Sequence, residues 1–485
     1  MSNEIRSLEP QALWNNFANL NEIPRPSKKE EKVRQFMVDF GENLGLKTIV
    51  DPVGNVIIKK PASKGMENRK TIVMQSHLDM VCQKNNDTDF DFDTQGINMI
   101  VDGDWVKADG TTLGADNGIG VASIMSVLES TDIMHPAIEA LFTIDEETGM
   151  TGAIGLQAGY LDGEILLNLD TEDDDEIGVG CAGGIDITAF KTCELIAAPG
   201  NVKAFKITVT GLRGGHSGMD IHRGFANANK LMNRILFALN DAVSISEIDG
   251  GSLRNAIPRE SNVLIVCEDE ENLKALLAKV SSEIRKEYQS IEKDLKVLIE
   301  PADVPKTILS KPEQDTLIKS IYAIHNGVFR MSPDINGLVE TSNSLARIVL
   351  QDGDIRINCL TRSSVESGKM DLAYHIKSGL ELGGFKVELS GSYPGWKPNP
   401  DSAILKVLEG TYENIFGKKP DVLACHAGLE CGILGTNYPE MDMISFGPTI
   451  RGAHSPDERA SISSSQKYWK YLLEILENIP LRQDN

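Results

Sequence analysis

The sequence predicts an α/β fold with a mixed, mostly parallel sheet, interrupted by an inserted α+β domain of ferredoxin-like organisation. Three observations predict it. Short apolar, β-branched runs at 71–77, 138–144 and 164–169 lack polar alternation, as strands buried on both faces of a parallel sheet do. From about residue 186 the texture changes to longer alternating strands, such as 203–212, interleaved with amphipathic helices. After the proline-rich stretch Tyr393-Pro-Gly-Trp-Lys-Pro-Asn-Pro400 the α/β pattern resumes. The expected organisation is one domain in two parts, 1–186 and 398–485, with 187–397 inserted. A chain of 485 residues can bury sizeable cores in two or three domains.

Residues 9–22 and 28–45 carry apolar positions at helical spacing, and Ser27-Lys-Lys-Glu30 reads as a capping box for the second helix. Strands at 46–50 and 55–59 flank the turn Asp51-Pro-Val-Gly54. The strand 71–77 follows, then a polar excursion from 84 to 97 and a hairpin arm at 103–107. Thr111-Thr-Leu-Gly114-Ala-Asp116-Asn-Gly118-Ile-Gly120 leads into an apolar helix over 121–128. Its glycines let the backbone bend and present Asp116 at the helix mouth. Asp is also an ordinary N-cap residue, the plainer reading of the same position. Gly178-Val-Gly-Cys-Ala-Gly183 has dinucleotide-site spacing, but an acidic run precedes it and no amphipathic helix follows, so no such site is expected.

In the insertion, strand 203–212, helix 223–239, strands 243–249 and 260–268, helix 270–289 and strand 295–301 form one α+β half. Helix 312–325, strands near 335–361, helix 366–381 and strand 385–391 form a second. Helix 401–416, strand 421–425, a glycine-punctuated turn at 426–432, strand 441–446 and helix 464–478 complete the first domain.

A content of 41% apolar and 25% charged residues is that of an ordinary soluble globular protein. The net charge of −23 excludes nucleic acid as a partner class, because phosphate binding needs clustered Lys and Arg, and it suits the holding of cations. The seven cysteines form no C-x-x-C pair. The first ten residues lack the apolar core of a signal peptide, and no apolar run approaches the ~18 residues of a membrane-spanning helix. A cytoplasmic protein without a membrane partner is expected.

The chemistry collects where the apolar strands end, which is where ligands bind in open α/β sheets. His77 and Asp79, two positions apart, share one face of an extended chain. An imidazole there can bind a metal through one nitrogen and donate its other N–H to a carboxylate. Asp145-Glu146-Glu147 ends the second run, and three acids directly after a buried strand are costly unless a cation neutralises them. Asp170 ends the third; the rest of the acidic run to Glu176 reads as a solvated loop. With Asp116 and the late His454 the set becomes His77, Asp116, Glu147, Asp170 and His454. Two imidazoles and three carboxylates suit two zinc ions sharing one carboxylate, whereas calcium takes oxygen donors only. Glu146, beside a ligand but not needed as one, is then the candidate base that activates water.

His77-Leu-Asp79, Gly114-Ala-Asp116-Asn117, Glu146-Glu147, Asp170, Gly215-His216-Ser217 and His454 occur in an order that resembles the co-catalytic zinc family of aminoacylases, carboxypeptidase G-type enzymes and dipeptidases. The resemblance covers nearly the whole chain. Lys84-Asn-Asn-Asp87, Cys181-Ala-Gly-Gly-Ile-Asp186, Arg254-Asn-Ala-Ile-Pro-Arg-Glu260, His426-Ala-Gly-Leu-Glu-Cys-Gly432 and Gly447-Pro-Thr449 resemble its bacterial dipeptidases in particular. The resemblance implies two zinc ions, with cobalt or manganese as substitutes. Asp116 would bridge them, His77 and Asp170 completing one site and Glu147 and His454 the other. It implies that Asp79 orients His77, that Glu146 is general base and proton shuttle, and that the Asp116–Asn117 peptide is cis.

The insertion would be a lid in which His216 faces the scissile carbonyl and Asn255 and Arg362 hold the polar end of a peptide. Arg362 also reads as a lid-surface ion pair and Asn255 as a turn residue. The implied activity is hydrolysis of Xaa-His dipeptides, carnosine among them. The alternatives are an N-acyl amino acid deacylase and a catalytically silent metal-binding protein, the last disfavoured by the intact Glu146. A doubled lid could close over its own site or supply His216 across a homodimer. His135, His222, His325 and His375 read as ordinary surface or core residues, and His426 stays open.

Overall fold

The computed structural model describes residues 4–85 and 87–482; Asn86 of the Lys84–Asp87 motif and the first three residues lie outside the described residues. Two compact units result. One comprises Met1–Gly180, Pro398–Ala424 and Glu430–Asn485, and the other Cys181–Lys397 with Cys425–Leu429.

The first unit is α/β. Its eight-stranded sheet runs Lys47–Val50, Val56–Lys60, Ile138–Thr143, Ile72–His77, Ile165–Asn168, Asp442–Ser445, Glu176–Cys181, Asp421–Cys425. Parallel pairing occupies the centre: Ile72–His77 pairs with Ile138–Thr143 and Ile165–Asn168, and the latter pairs with Asp442–Ser445. Lys47–Val50, Val56–Lys60 and Glu176–Cys181 join it antiparallel. The sheet is therefore mixed, its parallel part made of the three strands that read as continuous apolar runs together with Asp442–Ser445. Every residue of the three runs is buried within the strand bounds, which is why their sequences show no polar alternation. Helix Ala115–Glu129 is buried along nearly its whole length and packs on the Ile72–His77 strand and on helix Gln11–Asn21. Because the central strands point the same way, His77, Asp145 and Asp170 emerge along one edge of the sheet.

The expected capping box is absent. Helix Glu31–Asn43 opens without a side-chain cap. Ser27 Oγ donates instead to Asp79 Oδ2 at 2.8 Å, and Glu30 Oε1 accepts from the N–H groups of Lys28 (2.8 Å) and Asp145 (3.0 Å). Water can satisfy an exposed helix end, whereas Asp79 is fully buried and must find its donors within the protein.

The second unit is α+β and antiparallel throughout. Its sheet runs Lys296–Ala302, Lys203–Thr210, Ser261–Cys267, Ser244–Gly251, Val339–Gln351, Asp354–Ser363, Gly183–Thr192, Lys386–Tyr393, with Gly327–Met331 also paired to Val339–Gln351. The two halves read from the sequence are thus one continuous sheet, joined where Ile248 pairs with Leu350 and Gly251 with Arg347. Alternate strand residues, such as Phe205, Ile207 and Val209 or Ile355, Ile357 and Cys359, enter a single core with helices Ala228–Leu239, Glu270–Tyr288, Lys311–Ala323 and Glu366–Leu382.

Several elements escape sequence reading, among them strand Glu176–Cys181 and the two that follow. Gly183–Thr192 is a ten-residue strand that opens on two glycines; a Cβ at Gly184 would meet the Tyr393 ring, so close strand approach demands what looked like a loop signal. Helix Glu430–Asn437 begins inside the stretch read as a turn. No helix among the described residues is long and apolar enough to cross a membrane.

Candidate metal centre

Within the first unit, strand ends and turns bring His77, Asp116, Glu146, Glu147, Asp170 and His454 together. His77 Nε2 lies 3.2 Å from Asp116 Oδ1 and 3.6 Å from Asp170 Oδ1. His454 Nε2 lies 3.2 Å from Asp116 Oδ2 and 3.1 Å from Glu147 Oε2. One oxygen of Asp116 therefore faces each imidazole. Two triads share this carboxylate, His77–Asp116–Asp170 and Asp116–Glu147–His454, each with ligand atoms within 4.8 Å of one another. The Asp116–Asn117 peptide is cis. Asn117 Nδ2 donates to the Leu169 carbonyl at 2.8 Å and to Asp170 Oδ1, fixing the third strand end against the Asp116 turn.

Asp79 organises the turn beneath these groups. Its Oδ1 lies 3.4 Å from His77 Nδ1 and accepts from the Glu146 N–H at 3.0 Å; its Oδ2 accepts from the Glu147 N–H at 3.2 Å. His77 Nε2 is thereby turned toward Asp116 and Asp170, while Glu146 and Glu147 are presented from a turn opened by Asp145 at φ 52°. Burial alone would raise the Asp79 carboxyl, but His77, Ser27 and the Glu146 N–H hold it down to about 2. Burial would lower His77, yet the charge of Asp170 and its hydrogen bonds to Asp116 and Asp170 push it well above its usual value. Hydrogen bonds to Asp116 and then Glu147 carry His454 up to about 11. Burial pushes Glu146 well up, reinforced by the negative charges of Asp170, Glu430 and Glu147 against the pull of His77.

The donor set fits metal ions. Glu147 Oε1 is buried without a hydrogen-bond partner, and Asp116, Glu147 and Asp170 find ion-pair partners only in His77 and His454 among the described residues. Nitrogen and oxygen donors around one shared carboxylate suit a dinuclear centre of zinc-like ions. Glu30, Asp79 and Asp145 form another acidic cluster, but Glu30 and Asp79 are satisfied by backbone and side-chain donors there and Asp145 by Thr148 and Thr151.

The residues expected in the insertion lie in the second unit. His216 belongs to the short strand Gly215–His216, opposite Ala256. Its Nδ1 accepts from the N–H groups of Gly218 (3.2 Å) and Met219 (3.0 Å), which assigns the proton of the neutral ring to Nε2. Burial, and then the charge of Arg362, lower its affinity for a second proton. Asn255 is exposed, and its carbonyl accepts from the Ser217 N–H at 2.8 Å. Arg362 is only 4% exposed; its Nη1 donates to Tyr393 Oη at 2.9 Å and its Nε is unsatisfied, so it is not a surface ion pair. His426 is buried, with Nε2 2.8 Å from Ser342 Oγ and a further hydrogen bond to the Val339 carbonyl. That is the bonding of a core histidine. His135 is likewise internal, its Nδ1 donating to the Pro136 carbonyl at 2.7 Å, and His222 and His375 are exposed.

Four residues near the centre were not singled out by sequence. Glu430 is fully desolvated, accepts from Gln75 Nε2 (2.6 Å) and Thr143 Oγ1 (2.7 Å), and is pushed up to about 7 by burial. Glu172, read as part of a solvated loop, is pushed up to about 8 by burial and by Asp116 and Asp170. The acidic run beyond it is ion-paired: Asp173 with Arg451, Asp174 with Lys467 at 2.5 Å, and Asp175 with Lys418 at 3.1 Å. These cations come from far along the chain, so local composition could not reveal them. Arg25 and Glu458 are the other two.

Residues 73–478 match a family model described as peptidase family M20/M25/M40. The cytosol non-specific dipeptidase of Escherichia coli is 44% identical over 483 residues, covering 99% of this chain and 100% of that protein. The crystal structure of aminoacylhistidine dipeptidase from Vibrio alginolyticus aligns with a TM-score of 0.94 at 45% identity and covers 99% of both chains. An aminopeptidase from Bacillus cereus, at 16% identity and a TM-score of 0.58, shares the fold over 97% of this chain and 99% of its own. With the family model spanning most of its length and a full-length relative at this identity, the chain belongs to peptidase family M20/M25/M40.

Proposed function

We propose that this protein is a metal-dependent dipeptidase holding two zinc ions, and that dipeptides with C-terminal histidine are among its substrates. The observation that carries the reading is the Asp116 carboxylate, one oxygen facing each imidazole; Glu146 lies outside the two triads that share it, though close enough to group with His77 and Glu147. The names of the two full-length relatives point the same way and differ on breadth, one non-specific and one directed to aminoacyl-histidine.

His77, Asp116 and Asp170 would hold one ion and Asp116, Glu147 and His454 the other; cobalt or manganese would accept the same donors. When bound, the pair supplies positive charge that polarises a scissile carbonyl and acidifies water at the site. The protein's own part is positioning and proton transfer. Asp79 orients His77 and pins the Glu146–Glu147 turn. Glu146 takes a proton from the attacking water and returns it to the leaving amine, a role that its place beside the two triads allows. His216, with its proton on Nε2, is a donor for the oxyanion that attack creates. Arg362 and Asn255 hold the carboxylate end of the peptide, and the unsatisfied Arg362 Nε is a donor in want of an acceptor.

A panel of Xaa-His, Xaa-Gly and Xaa-Leu dipeptides beside N-acetyl amino acids, assayed with zinc, tests the proposal. Dipeptides are expected to be cleaved, with loss on chelation and recovery on zinc addition. Cleavage confined to the N-acetyl amino acids would overturn the reading in favour of a deacylase.

A further inference from the structure

We infer that Glu458 and Arg25 form a buried clamp of opposite charges that positions the Asp116 turn against the His454 loop and so sets the affinity of the centre for the metal shared by Asp116, Glu147 and His454. The inference deepens the proposed function and rests on it for the identity of the ligands.

Glu458 is 2% exposed, and its carboxylate accepts four successive backbone N–H groups. Oε2 takes those of Leu113 (2.8 Å) and Gly114 (3.0 Å), and Oε1 those of Ala115 (2.7 Å) and Asp116 (3.2 Å). These amides lie in the turn that ends at the cis Asp116–Asn117 peptide, where Asp116 and Asn117 depart from helical φ/ψ, so no helical carbonyl serves them. Gly114, at φ 71°, has no side chain to serve them. A carboxylate from a distant turn therefore satisfies four buried amides of this turn at once. The consequence for the site is direct. With its backbone N–H held by Glu458, Asp116 turns both oxygens to the imidazoles.

Arg25, 1% exposed, grips the same turn by its carbonyl side. Nη2 donates to the Gly114 carbonyl at 2.6 Å and Nη1 to the carbonyls of Leu78 (3.1 Å) and Asp79 (3.2 Å). The guanidinium thus ties the strand end carrying His77 to the turn carrying Asp116. Glu458 ties the same turn to the loop carrying His454, four residues before it; that loop is closed by the Glu458 N–H to the Ser455 carbonyl and the Ser455 N–H to the Gly452 carbonyl. Three ligand-bearing segments converge on the peptides around Gly114 through one cation and one anion. The fit leaves no spare room: a Cβ at Gly114 would collide with Arg25 Nη2, and one at Gly118 would lie 2.7 Å from it.

Glu458 touches neither substrate nor metal, so it is a positioning residue, and the test must separate positioning from bulk stability. Glu458→Gln keeps the shape but removes the charge and turns an NH2 group against two N–H donors. Zinc titrations of metal-free protein against a chromophoric chelator should show the affinity of one of the two sites falling by about 10–100-fold, the range for groups that orient ligands, while the other holds. Glu458→Asp, which keeps the charge on a shorter arm, should recover part of the loss. Arg25→Lys, which keeps the charge but cannot bridge all three carbonyls, should lower zinc affinity at the centre, the His77 site included because Arg25 holds that strand end, and serves if Glu458→Gln does not fold. Wild-type affinity at both sites in Glu458→Gln and Arg25→Lys would overturn the clamp. So would a lower melting temperature of the metal-free variants with unchanged zinc affinity per folded molecule. Because zinc alone is the probe, a wild-type protein that binds two ions but cleaves no dipeptide would refute the proposed function and leave the clamp standing.

Discussion

Glu146 and Glu147 are neighbours on one turn, yet only Glu147 belongs to a triad with Asp116 and His454, and both backbone N–H groups are held by Asp79. Glu146→Gln should therefore keep two metals while losing about 10²–10⁴-fold in turnover, as measured by steady-state rates beside metal analysis. Activity near wild type in metal-replete Glu146→Gln would remove it as the base. For His216 the informative change is Ala, which deletes the Nε2 donor. The expected result is a slower chemical step in single-turnover kinetics with zinc content and melting temperature unchanged. Loss of melting temperature with a normal chemical step would make the glycine-rich turn a purely structural feature. His426 reports on stability instead. Burial first, then the positive charge of Arg362, hold its imidazole at about 3 in the folded chain, against 6.5 when unfolded. Between those pH values the unfolded chain binds a proton that the folded chain does not. The folded state is thus unpenalised above pH 6.5 and loses about 1.4 kcal/mol for each pH unit below it. In urea titrations from pH 7 to pH 5, His426→Gln should lose stability less steeply than wild type. Equal slopes would show that the residue is not held neutral.

At the scale of elements, the loop entering helix Ala115–Glu129 is the most constrained piece of the first unit. Gly114 sits at φ 71° with Arg25 against the position a Cβ would take. Gly114→Ala should cost about 1–3 kcal/mol in denaturant titrations of the metal-free protein, through backbone conformation and the collision together. A neutral substitution would mean that the turn relaxes freely. The same element shows where sequence reading stops. Ser27 and Glu30 carry the residue types and spacing of a capping box, and local spacing has no way to express that a buried Asp79 competes for the same donors. Likewise Asp116 reads equally well as a cap or as a ligand until the buried Glu458 that holds its turn is seen, and that residue lies 343 positions away from Ala115.

For the whole molecule, the metals and the fold of the first unit should be coupled. Three carboxylates face two imidazoles in a space where like charges repel, so ions that bind the folded chain alone stabilise it by mass action, about 4 kcal/mol at a thousandfold excess over Kd. Chelation is expected to abolish dipeptide hydrolysis and to lower the melting temperature, and added zinc to restore both. A calorimetric trace indifferent to chelator would break the link between the centre and the fold.

Much of this architecture could be read from residue order. Continuous apolar runs mark strands buried on both faces, such strands pair in parallel, and parallel strands end along one edge; His77, Glu147 and Asp170 follow each run closely enough to be recognised as a donor set. Alternation in 203–210 and in 355–359 likewise announces a one-faced core. What residue order left open was partnership across the chain. Which oxygen of Asp116 meets which imidazole, how the acidic run beyond Glu172 finds Arg451, Lys467 and Lys418, and how two α+β halves become one sheet at Ile248 and Leu350 all depend on contacts between distant segments. The physical reason is that periodicity encodes which face of an element is buried, a property of neighbouring residues. A hydrogen bond or ion pair is specified only when folding has brought two remote polar groups into a place from which water is excluded.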